Sequence, residues 1–344
     1  MDTAISCSLA PFAIATGDPA GIGPEVIVKS WLVREVHRLM PFFAIGESRA
    51  LSAIWDGPIQ TIASPDEAAS VFDHALPCLQ LDMTGAITPG QPNADGARCA
   101  LHALELGIGL TKSGAAAALI TAPVGKSQLY SIGFTHPGQT EFIAERCGVA
   151  RNNAVMMLAG PSLRVVPLTI HIPLSEVPAA LSVELIRTRA HVTARSLTRN
   201  FGIENPRLAV AGLNPHAGEN GNIGREEIEI IAPAIETLRA EGLNISGPYA
   251  PDAMFHGPAR EHYDAALCMY HDQALIPIKT LHFDEGVNMT LGLPIIRTSP
   301  DHGTAFDIAG QNIADPGAMI AAIRMAEEAA RYRSTQADGQ PLSS

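Results

Sequence analysis

An α/β protein of two domains, each built on a mainly parallel sheet, is the fold class this sequence predicts. Two observations carry it. Short β-rich runs alternate with stretches of helical period along most of the chain, the rhythm of βα units. A chain of 344 residues with 47% hydrophobic side chains can also bury two medium cores.

In chain order, "PFAIAT" precedes "GPEVIVKSWLVREV", where Pro24 suits the first turn of a helix, and "AALITAP" precedes "VGKSQLYSI". "LRVVPLTI" precedes "PLSEVPAALSVELIRTRAHVTARSL", and "RLAVAGL" precedes "REEIEIIAPAIETLRAEG". The final quarter departs from this rhythm. "DEGVNMTLGLPIIRTSPDHGTAFDIAGQNIADP" is dense in Gly, Pro, Asn and Asp and reads as a loop-rich functional segment before the helical "GAMIAAIRMAEEAARYR". The polar tail "STQADGQPLSS" is expected to fray.

Composition excludes several classes. No apolar run reaches the length of a membrane span, and the start carries Asp2 where a signal peptide would carry a cation, so a soluble cytoplasmic protein is expected. Cys7, Cys78, Cys99, Cys147 and Cys268 form no CxxC pair and read as reduced thiols, which leaves His and carboxylates for any metal. A net charge of -12 without a Lys/Arg cluster argues against nucleic acid but permits a small anion held by local cations.

Three histidines share one context. His171, His216 and His271 each follow a predicted strand, where ligands gather in open α/β sheets. Three neutral imidazoles suit a divalent metal with an open position, whereas each alone would read as a hydrogen-bonding or exposed loop residue. Asp272 and Asp252 could orient an imidazole, complete the metal shell or accept a proton; turn and capping chemistry is the alternative.

The turn "ATGDPAGIGPE" joins a strand to a helix and frees backbone N–H groups, or its prolines merely enforce a tight turn. It does not fit GxGxxG, and no P-loop occurs. Gln139 and Thr140 stand at a predicted helix start where donors can meet an anion, unless Thr140 simply caps the helix. Lys279, Asn288 and Arg297 add two cations and an amide, with apolar neighbours around Arg297. Asp307, within "DHGTAFDIAGQNIADP", could accept hydrogen bonds from a ribose diol or could cap a turn.

Together "GDPAGIGPE", "GLNPHAGENG", "YHDQALIPIK" and "GVNMTLGLPIIRTSPDHGTAFDIAG" resemble the 4-hydroxythreonine-4-phosphate dehydrogenase family of vitamin B6 biosynthesis, from about residue 12 to about residue 330. The resemblance implies the isocitrate/isopropylmalate dehydrogenase-like fold, two α/β/α domains with an interdomain cleft and no Rossmann fingerprint. The expected domains are residues 1–130 with 283–344, on the dinucleotide side, and 131–282, with the metal ligands and the dimer contact.

By position, the resemblance makes His171, His216 and His271 metal ligands, and Gln139, Thr140, Lys279, Asn288 and Arg297 substrate contacts. It sets His302, Gly303, Thr304, Ala305, Asp307 and Asn312 on the adenosine side of a dinucleotide. It also implies a homodimer whose site borrows residues from the neighbouring subunit. One residue departs from the family pattern: Gln139 stands where Gly-His-Thr-Glu has its His, and an amide cannot carry a proton or a charge.

The implied reaction is oxidation of 4-phosphooxy-L-threonine at C3 with NAD, or NADP, as acceptor and one divalent metal, then decarboxylation to 3-amino-2-oxopropyl phosphate. Three imidazoles favour zinc or a similar transition ion over magnesium, with manganese and cobalt as further alternatives. Asp272, Asp252 and a neutral Lys279 remain open as the base. Related dehydrogenases of 4-phosphothreonate, 4-phosphoerythronate or cis-diols are the alternatives within the class. A non-catalytic small-molecule sensor and a metal hydrolase on the same histidines are alternatives outside it.

Overall fold

The structure is a computed structural model and describes residues 9–337. Cys7, the Asp2 start and the tail from residue 338 lie outside the described residues. The strands are β1 (Phe12–Ala15), β2 (Phe42–Gly46), β3 (Ile59–Ile62), β4 (Leu76–Gln80), β5 (Leu119–Thr121), β6 (Val155–Gly160), β7 (Leu163–Pro167), β8 (Leu208–Ala211), β9 (Ile245–Tyr249), β10 (Ala265–Cys268), β11 (Val287–Leu291) and β12 (Arg297–Pro300). The longer helices are numbered α1 (Gly23–Leu32), α2 (Ala94–Ser113), α3 (Gln139–Arg146), α4 (Val183–Phe201), α5 (Ala232–Ala240), α6 (His271–Leu281) and α7 (Gly317–Ala337).

The chain divides into two compact units, residues 1–147 with 294–344, and residues 148–293. These breaks fall later than residues 130 and 283, because α3 belongs with the first unit. Arg146, at its end, pairs with Glu105 of α2 at 2.9 Å, and Lys112 donates to the Arg146 carbonyl at 2.9 Å. At the other break, β11 pairs with β6 along its whole length and so stays in the second unit.

In the first unit six strands run in the order β3-β4-β2-β1-β5-β12, all parallel. The sequence of β1, Phe-Ala-Ile-Ala, is wholly buried, as a central strand covered on both faces must be. Helix boundaries follow local chemistry. Asn93 accepts from the Gly96 N–H at 2.8 Å to open α2, and left-handed Gly114 closes it.

In the second unit the order is β11-β6-β7-β10-β8-β9. β7, β10, β8 and β9 are parallel, while β6 runs antiparallel to both β7 and β11. The reading of the final quarter as loop-rich is therefore corrected: β11 and β12 lie inside it. Their runs are short, and burial against neighbouring strands, absent from local sequence, decides them. The loop character holds for residues 301–316, which carry neither helix nor strand. The run "STQADGQPLSS" begins inside α7, which continues to Ala337.

Candidate functional site

Sheet order gathers the three histidines of the second unit. β10 lies between β7 and β8 and is parallel to both, so the carboxyl ends of all three strands reach one edge of the sheet. His171 follows β7, His216 follows β8 and His271 follows β10. His271 is the first residue of α6 rather than part of a loop, which corrects the expected strand-to-loop context.

His171 and His271 meet, with ring centroids 6.0 Å apart. Asp272 Oδ1 lies 2.8 Å from His271 Nδ1, which leaves Nε2 as the nitrogen that could ligate a metal. These two imidazoles fit a borderline divalent ion such as zinc. The third does not close the set within one chain: among the described residues, no group of three or more His, Cys, Asp or Glu side chains lies close enough to hold a metal ion.

His216 sits on a strained turn. Residues 216–220 are all left-handed, with φ of 52, 51, 80, 42 and 54°, although only one of them is glycine. Such backbone costs about 1–2 kcal/mol per non-glycine residue and persists only when its surroundings hold it. Glu227, buried in the first turn of the π-helix Glu227–Ile231, supplies the hold: its Oε1 accepts from the Leu213 and Asn214 N–H groups at 2.8 Å, and its Oε2 accepts from Asn214 Nδ2 at 3.0 Å.

Asp252 lies on an exposed turn after β9. Lys279, on α6, stands 5.6 Å from the Phe283 ring centroid. Asn288, on β11, keeps a buried Oδ1 with no hydrogen-bond partner in the structure, so its amide can still accept from a ligand. A cavity of about 280 Å³ in this unit is lined by Ser246, Tyr249, Met254, His262 and Tyr263 among others, and contains none of the candidate residues.

The first unit holds the residues expected to meet an anion. Arg297, on β12, is 4% exposed and donates from Nη2 to Thr121 Oγ1 at 2.7 Å and to Gln139 Oε1 at 3.4 Å. Gln139 in turn donates from Nε2 to the Ala122 carbonyl at 3.4 Å. Burial lowers the guanidinium pKa to about 10, with Glu141 opposing the shift, so the charge survives at neutral pH. A buried guanidinium beside Thr121 and Gln139 suits a bidentate oxyanion. Gly138 is the N-cap of α3 and makes no side-chain cap. Thr140 is thus inside the first helical turn rather than capping it.

The loop 301–316 joins the glycine-rich turn. Ile22 N–H donates to the Thr304 carbonyl at 3.0 Å, and a Cβ on Gly21 would stand 3.0 Å from that same oxygen. His302 holds Nδ1 3.0 Å from the Gly303 carbonyl and keeps a buried Nε2 with no partner; Asp307 is exposed. Ala305 and Asn312 are left-handed, with φ of 42 and 59°. An exposed carboxylate, an unsatisfied ring nitrogen and small residues fit a dinucleotide's ribose and base.

Known proteins resemble this chain in sequence and fold. The family described as "Pyridoxal phosphate biosynthetic protein PdxA" matches residues 38–326. The chain belongs to the PdxA family. It is 58% identical over 327 residues, 95% of this chain and 98% of the other, to a Zymomonas mobilis protein named 4-hydroxythreonine-4-phosphate dehydrogenase. A Klebsiella pneumoniae crystal structure of that name is 37% identical, with a TM-score of 0.84 over 93% of this chain and 99% of its own. A Burkholderia xenovorans terephthalate 1,2-cis-dihydrodiol dehydrogenase is more distant, at 28% identity and a TM-score of 0.65 over 93% of this chain and 98% of its own.

Sequence reading missed Thr121 and Glu227, the side chains that hydrogen-bond Arg297 and the turn before His216. Both are buried partners distant in sequence from what they hold, and neither is marked locally: Glu227 is one of four charged residues in "REEIEII".

Proposed function

We propose that this chain is a 4-hydroxythreonine-4-phosphate dehydrogenase, oxidising 4-phosphooxy-L-threonine at C3 with NAD or NADP as acceptor and yielding 3-amino-2-oxopropyl phosphate after loss of carbon dioxide. The observation that carries this reading is the 58% identity, along 95% of the chain, to a relative of that name. The buried guanidinium of Arg297 supports it, since a phosphate ester needs such a cation.

In this reading Arg297 binds the phosphate, Gln139 and Thr140 add neutral donors, and Lys279 and Asn288 orient the rest of the substrate. His171 and His271 hold a divalent metal. His216 completes the set through a second copy of the chain in a homodimer, which accords with the lack of a closed three-ligand cluster within one chain among the described residues. Such an ion would supply Lewis-acid polarisation of the C3 hydroxyl, and a dinucleotide would supply the acceptor for the C3 hydride. The residues 302–305, 307 and 312 bind that dinucleotide.

The hydroxyl proton must go to a base within hydrogen-bond reach. Asp272 lies against His271 and orients it; Asp252 and a neutral Lys279 are the other candidate acceptors. The 3-oxo acid then breaks its C1–C2 bond, the electrons pass toward the C3 carbonyl oxygen, and C2 takes up a proton.

The test compares NADH formation on 4-phosphooxy-L-threonine, 4-phosphoerythronate and a non-phosphorylated cis-diol with added zinc, manganese or magnesium. Turnover confined to the first substrate is expected. Equal rates on the diol overturn the phosphate assignment, and substrate binding without any NADH would make the chain a sensor.

A further inference from the structure

The glycine-rich turn is followed by an ion pair that the mechanism does not use. Glu25, in the first turn of α1, is fully buried, and its Oε1 accepts from Lys29 Nζ at 2.8 Å. That same oxygen accepts from the Ala314 N–H at 2.8 Å. Lys29 Nζ also donates to the carbonyls of Asn312 and Ala314 at 3.0 and 2.7 Å. All three ammonium donors are thus engaged, two of them on the segment that ends the 301–316 loop.

An i, i+4 pair on a solvated helix face contributes a few tenths of a kcal/mol and points nowhere in particular. This pair differs in being aimed at backbone. The segment it grips includes left-handed Asn312, whose conformation needs outside support. The near end of the loop is fixed separately, by the Ile22 N–H to Thr304 bond and by the Gly90 N–H to Ala20 bond at 2.8 Å, which brings residue 90 against Phe306. The loop is therefore tied at both ends to the segment 20–29, by backbone at one end and by the Glu25–Lys29 charges at the other.

We infer that Glu25 and Lys29 are positioning residues for the dinucleotide. They hold residues 303–314 in the one conformation that binds it, and they touch neither cofactor nor substrate. The inference rests on the reading of that loop as the dinucleotide site. Where a binding-competent conformer is populated only a fraction of the time, the apparent Kd rises by the inverse of that fraction. Loosening the far end of the loop so that it is competent about one tenth of the time raises the Kd about tenfold.

The experiment uses the full chain with its metal and the variants Lys29→Met and Glu25→Gln. Lys29→Met removes the donors, while Glu25→Gln keeps an acceptor for Ala314 and removes the charge. The readouts are NAD affinity by fluorescence titration, kcat, KM for both substrates, and amide exchange of residues 303–316. The expected result is a KM and Kd for NAD raised about tenfold, with kcat and the KM of the phosphorylated substrate within about twofold and faster exchange in that segment. Unchanged NAD affinity with either variant overturns the inference. So does a parallel fall in kcat and in affinity for both substrates, which marks a general structural role. A wild-type chain that binds no NAD or NADP overturns the functional reading itself, and that titration stands apart from the variants.

Discussion

Gln139 faces the buried guanidinium of Arg297. Its Oε1 accepts from Arg297 and its Nε2 donates to the Ala122 carbonyl, so it is a neutral bridge with no proton to give. Replacing it by His adds a group that titrates near neutral pH. The Gln139→His variant should then show a KM for the phosphorylated substrate that falls as pH drops below about 6.5, whereas the wild-type KM lacks that inflection. A pH series of initial rates checks this, and identical profiles would place residue 139 away from the phosphate. Arg297→Met should cost more, raising that KM by about two orders of magnitude or more, the scale of losing a buried charge contact.

Asp18, a member of "GDPAGIGPE", is 1% exposed, with Oδ1 accepting from the Ala20 N–H at 3.0 Å and Oδ2 without a partner. Burial raises its pKa, and the Ala20 hydrogen bond opposes the rise only in part. A carboxyl with a higher pKa folded than unfolded binds more protons in the folded state, so its contribution to stability falls as pH rises through the unfolded value of about 3.9 toward the folded one. Asp18→Asn keeps the acceptor and removes the charge. Its urea midpoint should exceed that of wild type at pH 7, and the gap should shrink as pH falls toward 4.

At the scale of elements, the π-helix and the left-handed turn form one device. A π-turn is rare, and here its first residue, Glu227, sends its carboxylate back to residues 213 and 214, just before the five left-handed residues that carry His216. Glu227→Gln replaces one acceptor oxygen by a donor amide facing N–H groups. It should destabilise the chain by about 1–3 kcal/mol in urea unfolding and weaken zinc binding by titration calorimetry. Loss of stability with unchanged zinc affinity would detach that turn from the metal site. The positions of the three histidines after predicted strands were legible, because the apolar runs that precede them are visible locally. The turn that aims His216 was not, since Ala217, Glu219 and Asn220 show no sign of left-handed backbone.

At the scale of the whole molecule, the histidines test the proposed dimer. His171 and His271 pair within one chain, while among the described residues no third ligand joins them. If His216 comes from a second copy, inactive His171→Ala and His216→Ala proteins should regain activity when refolded together. Random pairing makes half the dimers hybrid with one intact site each, which gives about a quarter of wild-type turnover. No recovery would leave the third ligand to be found within one chain.

The sequence by itself determined the α/β class and the family, and placed the candidate histidines after strands, because period, strand-end residues and ordered motifs are local properties. The structure decided which strands are neighbours: β10 sits between β7 and β8, so residues some hundred positions apart share one edge. It also decided which buried partners hold the functional side chains, Thr121 under Arg297, Glu227 under the His216 turn, and Glu25 with Lys29 under the loop ending at Ala314. The reason is physical. A residue's own preferences act over a few neighbours along the chain, whereas the hydrogen bonds that satisfy a buried charge are made with whatever the fold brings to it.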